Sequence, residues 1–177
     1  MKKISLRSLL ILITVPTLFA QCRQQESASK PVDIEKEKAA ILAVIKKETE
    51  TYYAKNLEGW KSTYLQSPRF RHHAYWEGYD EKVRGYNGFD TYKASKNRAF
   101  DTSIHRKWEN TVVERSNENF NISNDMAWYT FDEVSHKQGT NEILGKSIQT
   151  RILEKVNGEW KIAYLGYHFY PLKDSIK

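Results

Sequence analysis

The sequence predicts an α+β domain in which a long N-terminal helix lies against a curved antiparallel β-sheet. Apolar residues recur at helical spacing from Ile34 to about Lys55. From Lys107 to Tyr170 the pattern alternates between apolar and polar residues, and Asn157-Gly158 separates two such runs as in a tight hairpin. Helices followed by a block of antiparallel strands indicate an α+β fold, and a twisted sheet around the helix would leave a cone-shaped hollow.

The first helix has a clear predicted start. Asp33 can cap it, and Glu35 and Glu37 place negative charge in the first turn, where the helix dipole favours it. The residues that recur at helical spacing are Ile34, Ile41, Leu42, Ile45, Thr49, Tyr52 and Tyr53.

Shorter elements follow this helix. Asn56 can cap a second helix over residues 57–65, which Ser67-Pro68 ends. The ring-rich segment 69–77 is predicted to be a strand, and a glycine-containing loop leads from it to a third helix over Phe89–Phe100.

The rest of the chain is predicted to be an antiparallel meander. Asn124-Asp125, a loop through Gly139 and the Asn157-Gly158 turn separate its strands. The predicted strands cover residues 107–123, 126–136, 145–156 and 159–170.

The N-terminus has the pattern of an export signal over residues 1–21. A basic start precedes the apolar run Leu9–Ala20, which is shorter than the roughly 20 residues that span a bilayer. Cys22, the only cysteine, follows directly, and the arrangement resembles a bacterial lipoprotein signal in which this cysteine is lipidated. Gln21 departs from the small residue usual before such a cysteine. Cleavage after Ala20 by an ordinary signal peptidase is therefore an alternative to lipidation, and a buried N-terminal helix is an alternative to an export signal.

The remaining chain is predicted to be an envelope protein with one folded domain. Residues 22–32 are polar and contain proline, as in a flexible tether, residues 33–171 form the domain, and residues 172–177 form a tail. The signal carries three of the 28 basic residues and none of the 22 acidic ones, and the lysines are scattered. We therefore expect no nucleic-acid partner, and we expect a bacterial cell-envelope location, anchored to a membrane through lipidated Cys22.

Several stretches resemble the nuclear transport factor 2-like superfamily, which includes SnoaL-like and ketosteroid-isomerase-like domains. They are "AILAVIKKETETYYAKNLEGWKSTY", "RGYNGFDTY", "NDMAWYTFDEV" and "TRILEKVNGEWKIAYLGYH", the last also resembling the association domain of calcium/calmodulin-dependent kinase. The resemblance implies a cone-shaped, cystatin-like fold, an internal pocket and a homodimer formed through the outer sheet face. It implies no single activity, because the superfamily contains both enzymes and binding domains.

Arg151 is the first candidate ligand-binding residue. It lies among strand-forming residues, and a guanidinium facing the hollow could bind a carboxylate through its fork of donors. The alternative is a surface arginine or one paired with an acid on a neighbouring strand.

Asp132 and His168 are the candidate catalytic residues. An inward-facing aspartate whose pKa is raised by burial could act as a general base, and imidazole titrates near neutral pH. Tyr164 and His168 share strand parity, as do Trp160 and Ile162, and if the latter two face the core, Tyr164 and His168 are expected to reach the mouth of the pocket. The alternatives are a cross-strand charge pair for Asp132 and an ordinary hydrogen-bonded histidine for His168.

The predicted pocket is aromatic and contains neither metal nor cofactor. Its walls are assigned to Trp128, Tyr129, Tyr164 and Tyr75. His72 and His73 are adjacent on a strand and point to opposite faces, so they cannot share one metal.

The predicted function is binding of a small, partly apolar molecule. One alternative is an isomerase, dehydratase or hydrolase that uses Asp132 or His168 as base. Another is a dimeric assembly module without a ligand.

Overall fold

The computed structural model describes residues 33–77, 82–104 and 110–172. The first element, α1 (Ile34–Tyr53), begins where the sequence predicts. The Asp33 side chain accepts a hydrogen bond of 3.1 Å from the backbone amide of Lys36. Ile41, Ile45 and Glu48 lie on the buried side of this helix, so one carboxylate lies within an otherwise apolar stripe.

Three short helices complete the helical part. They are α2 (Leu57–Lys61), α3 (Phe89–Ser95) and α4 (Asn97–Phe100). Asn56 caps α2 by accepting a hydrogen bond of 2.9 Å from the Gly59 amide. The predicted third helix is divided at Lys96, which lies between α3 and α4. No helix among the described residues is both long and apolar enough to cross a membrane.

The described strands form one curved, mixed sheet in the order β2-β1-β6-β5-β4-β3. Strand β1 runs parallel to β6, and every other neighbouring pair is antiparallel. The strands are β1 (Arg71–Trp76), β2 (Val83–Asn87), β3 (Thr111–Ser123), β4 (Met126–Lys137), β5 (Ile143–Val156) and β6 (Glu159–Tyr170).

The sequence predicts the four long strands well but misses β2 and the parallel pairing. Strand β2 has five residues, contains Gly85 and is largely exposed, so it lacks the alternation that marks a half-buried strand. Parallel pairing of β1 with β6 joins segments far apart in the chain, and no local pattern encodes such a contact.

A β-bulge interrupts the pairing of β5 with β6. Ile152 lies opposite Tyr164, whereas the next residue, Leu153, lies opposite Ile162, so Ala163 is the extra residue. The hairpin ends in a tight turn in which Asn157 and Gly158 have φ angles of 51° and 81°. Positive φ at both positions is the geometry that selects Asn-Gly in a two-residue hairpin.

The hydrophobic core lies between the helices and one face of the sheet, here called the inner face. Trp60 and Tyr92 lie within a cluster of rings, and Ile41 and Ile45 of α1 pack against the same core. The opposite side of the sheet is called the outer face.

Candidate functional site

The inner face contains a group of buried polar side chains centred on Arg151. Only 1% of Arg151 is exposed. One of its terminal nitrogens, Nη2, donates to Gln149 Oε1 at 2.7 Å and to the Tyr167 hydroxyl at 2.9 Å. The guanidinium also lies 4.7 Å from the centre of the Tyr167 ring and 5.4 Å from that of Phe131. Arg151 therefore lies on the inner face and not at the surface.

The remaining donors of Arg151 are poorly matched. Its Nε is buried without a hydrogen-bond partner. Its Nη1 reaches only the Thr150 carbonyl oxygen, at 3.5 Å. A good charge-assisted hydrogen bond is shorter than 3 Å, so Nε and Nη1 of the guanidinium have capacity for another acceptor.

The acidic groups near Arg151 are engaged elsewhere. Glu133 is paired with Arg115 at 3.0 Å and accepts a hydrogen bond of 2.8 Å from Gln149. Glu48 accepts a hydrogen bond of 2.7 Å from the Tyr64 hydroxyl. Within the described ranges no carboxylate lies within 4.0 Å of the Arg151 guanidinium, so this buried cation has no direct ion-pair partner.

The surroundings keep Arg151 charged and the neighbouring phenols neutral. Burial acts to lower the pKa of Arg151, but Tyr167, Glu48, Tyr64 and Glu133 act in the opposite direction and raise it above its ordinary value. Burial raises the pKa of Tyr167 well above that of a free phenol, although Arg151 acts to lower it. The Tyr167 hydroxyl therefore remains a hydrogen-bond donor at neutral pH.

Two further buried polar atoms without partners belong to the same ring cluster. They are His72 Nδ1 and Trp60 Nε1. The His72 ring stacks on Tyr92 at 4.8 Å and lies 5.6 Å from the Tyr167 ring, while Trp60 lies 5.6 Å from Tyr92. Buried polar atoms in native proteins almost always have partners, so three unpartnered atoms around one ring cluster make this cluster a candidate binding site.

His72 is electrically neutral in this environment. Burial lowers its pKa to about 3, and the positive charges of Lys96 and Arg151 act in the same direction. A neutral imidazole with Nδ1 unpartnered can accept or donate one hydrogen bond, depending on its tautomer.

Tyr129 also lies on the inner face, where it is fully buried. Its hydroxyl donates to Glu118 at 2.6 Å, and its ring stacks on Phe120 at 4.1 Å and on Phe131 at 4.6 Å. The structure thus places Tyr129 on the same face as Arg151, with its polar end already engaged.

The other predicted site residues lie on the outer face, away from Arg151. Asp132 alternates with buried Phe131 and accepts a hydrogen bond from the Asn117 side chain. His168 lies opposite Ile148 and contacts Glu77 at 3.0 Å, with both side chains nearly half exposed. A base at either position would be separated by the sheet from a ligand bound at Arg151.

The predicted wall residues Trp128, Tyr164 and Tyr75 share this outer face. Trp128 is adjacent to inward-facing Tyr129 and is 37% exposed. Tyr164 lies beside His73, with ring centres 5.8 Å apart, and the Tyr75 ring packs edge-on against His168 at 5.2 Å. One pocket lined by all the predicted residues therefore does not form.

The bulge at Ala163 explains why Tyr164 and His168 lie on the outer face and not in the predicted pocket. Trp160 and Ile162 face inward, but the extra residue reverses the alternation for the rest of the strand. Leu165 and Tyr167 consequently face inward. Tyr167 is not among the wall residues predicted from the sequence.

Other inner-face residues were detectable in principle. Gln149 has the same parity as Arg151 on one strand, and Glu48 follows Ile41 and Ile45 at helical spacing. A charged residue within an apolar stripe is the signal that identifies a buried polar group. His72, by contrast, carries no such signal.

A separate trough of about 580 Å³ lies between α1 and the β5–β6 hairpin. Its lining includes Glu37, which contacts Lys155 and the Trp160 indole nitrogen, each at 2.7 Å. None of the predicted pocket residues lines this trough. No group of three or more His, Cys, Asp or Glu side chains in the described part of the chain could hold a metal ion.

Comparison with solved structures shows the fold. An NTF2-like protein of unknown function from Pseudomonas putida matches with a TM-score of 0.61 and 11% identity, covering 81% of this chain and 93% of that one. A protein of unknown function from Mycobacterium tuberculosis matches with a TM-score of 0.57 and 17% identity, covering 82% and 80%. A putative calcium/calmodulin-dependent protein kinase type II association domain from Thiobacillus denitrificans matches with a TM-score of 0.54 and 13% identity, covering 74% and 94%. No protein-family model and no curated protein matches the chain.

Proposed function

We propose that this chain, which has an NTF2-like, cystatin-like fold, binds a small, partly apolar molecule whose acidic end is held by Arg151. The rings of the inner face supply apolar surface, and Arg151 supplies one cation that has no direct ion-pair partner. Such a combination of apolar lining and few polar groups is typical of small-molecule sites.

The state of Arg151 is the observation on which this proposal rests. A buried cation costs several kcal/mol of solvation unless a counter-ion and hydrogen bonds offset that loss. Here the direct hydrogen bonds come from neutral Gln149 and Tyr167, and Nε has none. A ligand carboxylate would supply both the missing charge and the missing acceptor.

Calorimetric titration can test the proposal with paired small molecules. The probes are octanoate and phenylacetate, each compared with its primary amide. We expect each carboxylate to bind at least about tenfold more tightly than its amide, because hydrogen bonds to charged groups contribute about 1.5–3 kcal/mol.

The matched variants are Arg151→Gln and Arg69→Gln. Arg69 is an exposed arginine paired with Glu154 at 2.8 Å, so its loss removes the same charge without changing the inner face. We expect carboxylate binding to disappear in Arg151→Gln and to persist in Arg69→Gln. Equal binding of carboxylates and amides by the parent protein would contradict the proposal even if Arg151→Gln failed to fold.

Self-association is a second candidate function, favoured by the outer face. Trp128 and Ile148 on this face are 37% and 43% exposed. Large exposed apolar side chains on one sheet face often mark an interface between subunits. We expect a homodimer in light scattering and a monomer for Trp128→Glu. A monomeric parent protein at high micromolar concentration would exclude this function.

We also propose that the domain is exported to the bacterial cell envelope and anchored by lipid at Cys22. The support is the basic start, the short apolar run and the single cysteine that follows it. These residues precede the described part of the chain. Mass spectrometry of the natural N-terminus distinguishes a diacylated Cys22 from a free N-terminus after Ala20, and the second result would reject the anchor.

A further inference from the structure

A row of stacked side chains crosses the inner face from one edge of the sheet to the other. Each strand contributes to it in spatial order. The row consists of Arg84 on β2, Trp76 on β1, Phe169 and Tyr167 on β6, Arg151 on β5, Phe131 on β4 and Arg115 on β3. We call it the stacked row.

The spacing in the stacked row is regular. Trp76 and Phe169 lie 5.1 Å apart with ring planes at 10°, and Phe169 and Tyr167 lie 5.4 Å apart at 7°. The Arg151 guanidinium continues the row 4.7 Å from the centre of Tyr167. Trp76 and Phe169 lie opposite each other on neighbouring strands, and their distance approaches the separation of about 4.8 Å between such strands, whereas Phe169 and Tyr167 are alternate residues of one strand.

This arrangement determines which part of each ring a ligand can contact. The ring faces are turned towards one another or towards a guanidinium, so the ring edges point away from the row. An aromatic ring has a negative face and a positive edge. The edges of Trp76, Phe169 and Tyr167, together with the Arg151 cation, therefore present a positively polarised surface.

The ring edges are accessible enough to take part in binding. Trp76, Phe169 and Tyr167 are each partly exposed, whereas Arg151 at the end of this segment is buried. A ligand that lies across the three edges can thus extend its acidic end towards Arg151 Nε.

We infer that the ligand of this site is a planar, electron-rich aromatic carboxylate. This inference rests on the proposed function and narrows it to one chemical class. The negative π-face of the ligand lies across the positive ring edges, in the edge-to-face geometry that aromatic groups prefer. Its carboxylate accepts hydrogen bonds from Arg151 Nε and from the hydroxyl of Tyr167.

Four probes of similar size separate these contributions in calorimetry or NMR titration. They are benzoate, cyclohexanecarboxylate, pentafluorobenzoate and benzamide. Cyclohexanecarboxylate has the charge without a π-system, pentafluorobenzoate reverses the polarity of the ring face, and benzamide lacks the charge.

We expect benzoate to bind about 3 to 10 times more tightly than the saturated and the fluorinated carboxylates, the range of a favourable aromatic pair. Equal or tighter binding of cyclohexanecarboxylate or pentafluorobenzoate would overturn the aromatic inference, while the proposed carboxylate site would remain. If benzamide binds as tightly as benzoate, both the inference and the proposed function are wrong.

Two variants test whether the stacked row causes the preference for benzoate over cyclohexanecarboxylate. Phe169→Leu removes one ring and keeps apolar volume, and Phe120→Leu is the control because its ring stacks on Tyr129 outside the row. We expect Phe169→Leu to lose the preference for benzoate over cyclohexanecarboxylate and Phe120→Leu to keep it. If Phe169→Leu retains the preference, the stacked row does not select the ligand. The four-probe comparison on the parent protein decides the question if a variant fails to fold.

Discussion

The buried imidazole of His72 makes the stability of the domain depend on pH. His72 is 3% exposed, and burial lowers its pKa to about 3 from the ordinary value of 6.5. The unfolded chain binds a proton near pH 6.5, whereas the folded domain excludes that proton until about pH 3. Neutral His72 therefore contributes stability above pH 6.5, and that contribution is lost as the pH falls towards 3.

The magnitude follows from the width of this window. Each pH unit between the two values changes the free energy of unfolding by up to about 1.4 kcal/mol. Between pH 7 and pH 5 the loss is about 2 kcal/mol. Glu37 and Glu159 also have lowered pKa values, but their ordinary value is 4.5, so their titration affects stability mainly below pH 5.

Urea unfolding at pH 5, 6 and 7 measures this effect. The test variant is His72→Phe, which keeps a ring against Tyr92, and the control is His73→Gln, whose parent side chain is exposed. We expect the parent protein and His73→Gln to lose about 2 kcal/mol from pH 7 to pH 5, and His72→Phe to lose far less. A pH dependence in His72→Phe equal to that of the parent protein would refute this assignment.

Two further changes test local features of the fold by urea unfolding. The free energy of unfolding should fall by about 1 kcal/mol in Glu37→Gln, because the Glu37 carboxylate accepts a hydrogen bond from the Trp160 indole and pairs with Lys155 of the hairpin. It should fall by less than about 0.5 kcal/mol in Glu50→Gln, which loses only an exposed ion pair. An equal loss in both variants would mean that the hairpin contact adds nothing. Gly158→Ala should lower the free energy of unfolding by about 1–2 kcal/mol, because Gly158 has a φ of 81°, which is unfavourable for a residue with a side chain. Gly145→Ala should change it by less than about 0.5 kcal/mol, because a methyl group at this position meets open space. A neutral result for Gly158→Ala would show that the turn relaxes to another geometry.

The prediction of the fold succeeded where local chemistry is sufficient. Asp33 and the helical spacing after it define α1, and the alternation around Asn157-Gly158 defines the last two strands. These signals are strong because each segment buries one face, so its apolar period must match its secondary structure. The short, exposed β2 lacks that constraint and was missed.

The candidate site was only partly predictable. Tyr129 and Arg151 lie on the inner face, whereas Asp132, Trp128 and Tyr75 lie on the outer face. Neighbouring strand residues such as Trp128 and Tyr129 must point to opposite faces of the sheet, but this alternation does not say which of the two faces packs against α1. That choice depends on how the whole sheet curves around the helix.

The sequence by itself determined that this chain forms a long helix followed by alternating strands, and that an arginine lies among strand-forming residues. Only the tertiary structure decided which residues surround that arginine. A single bulge at Ala163 turns Tyr167 inward and His168 outward. The physical reason is that side chains alternate with a period of two residues, so one extra residue exchanges the two faces for the rest of the strand.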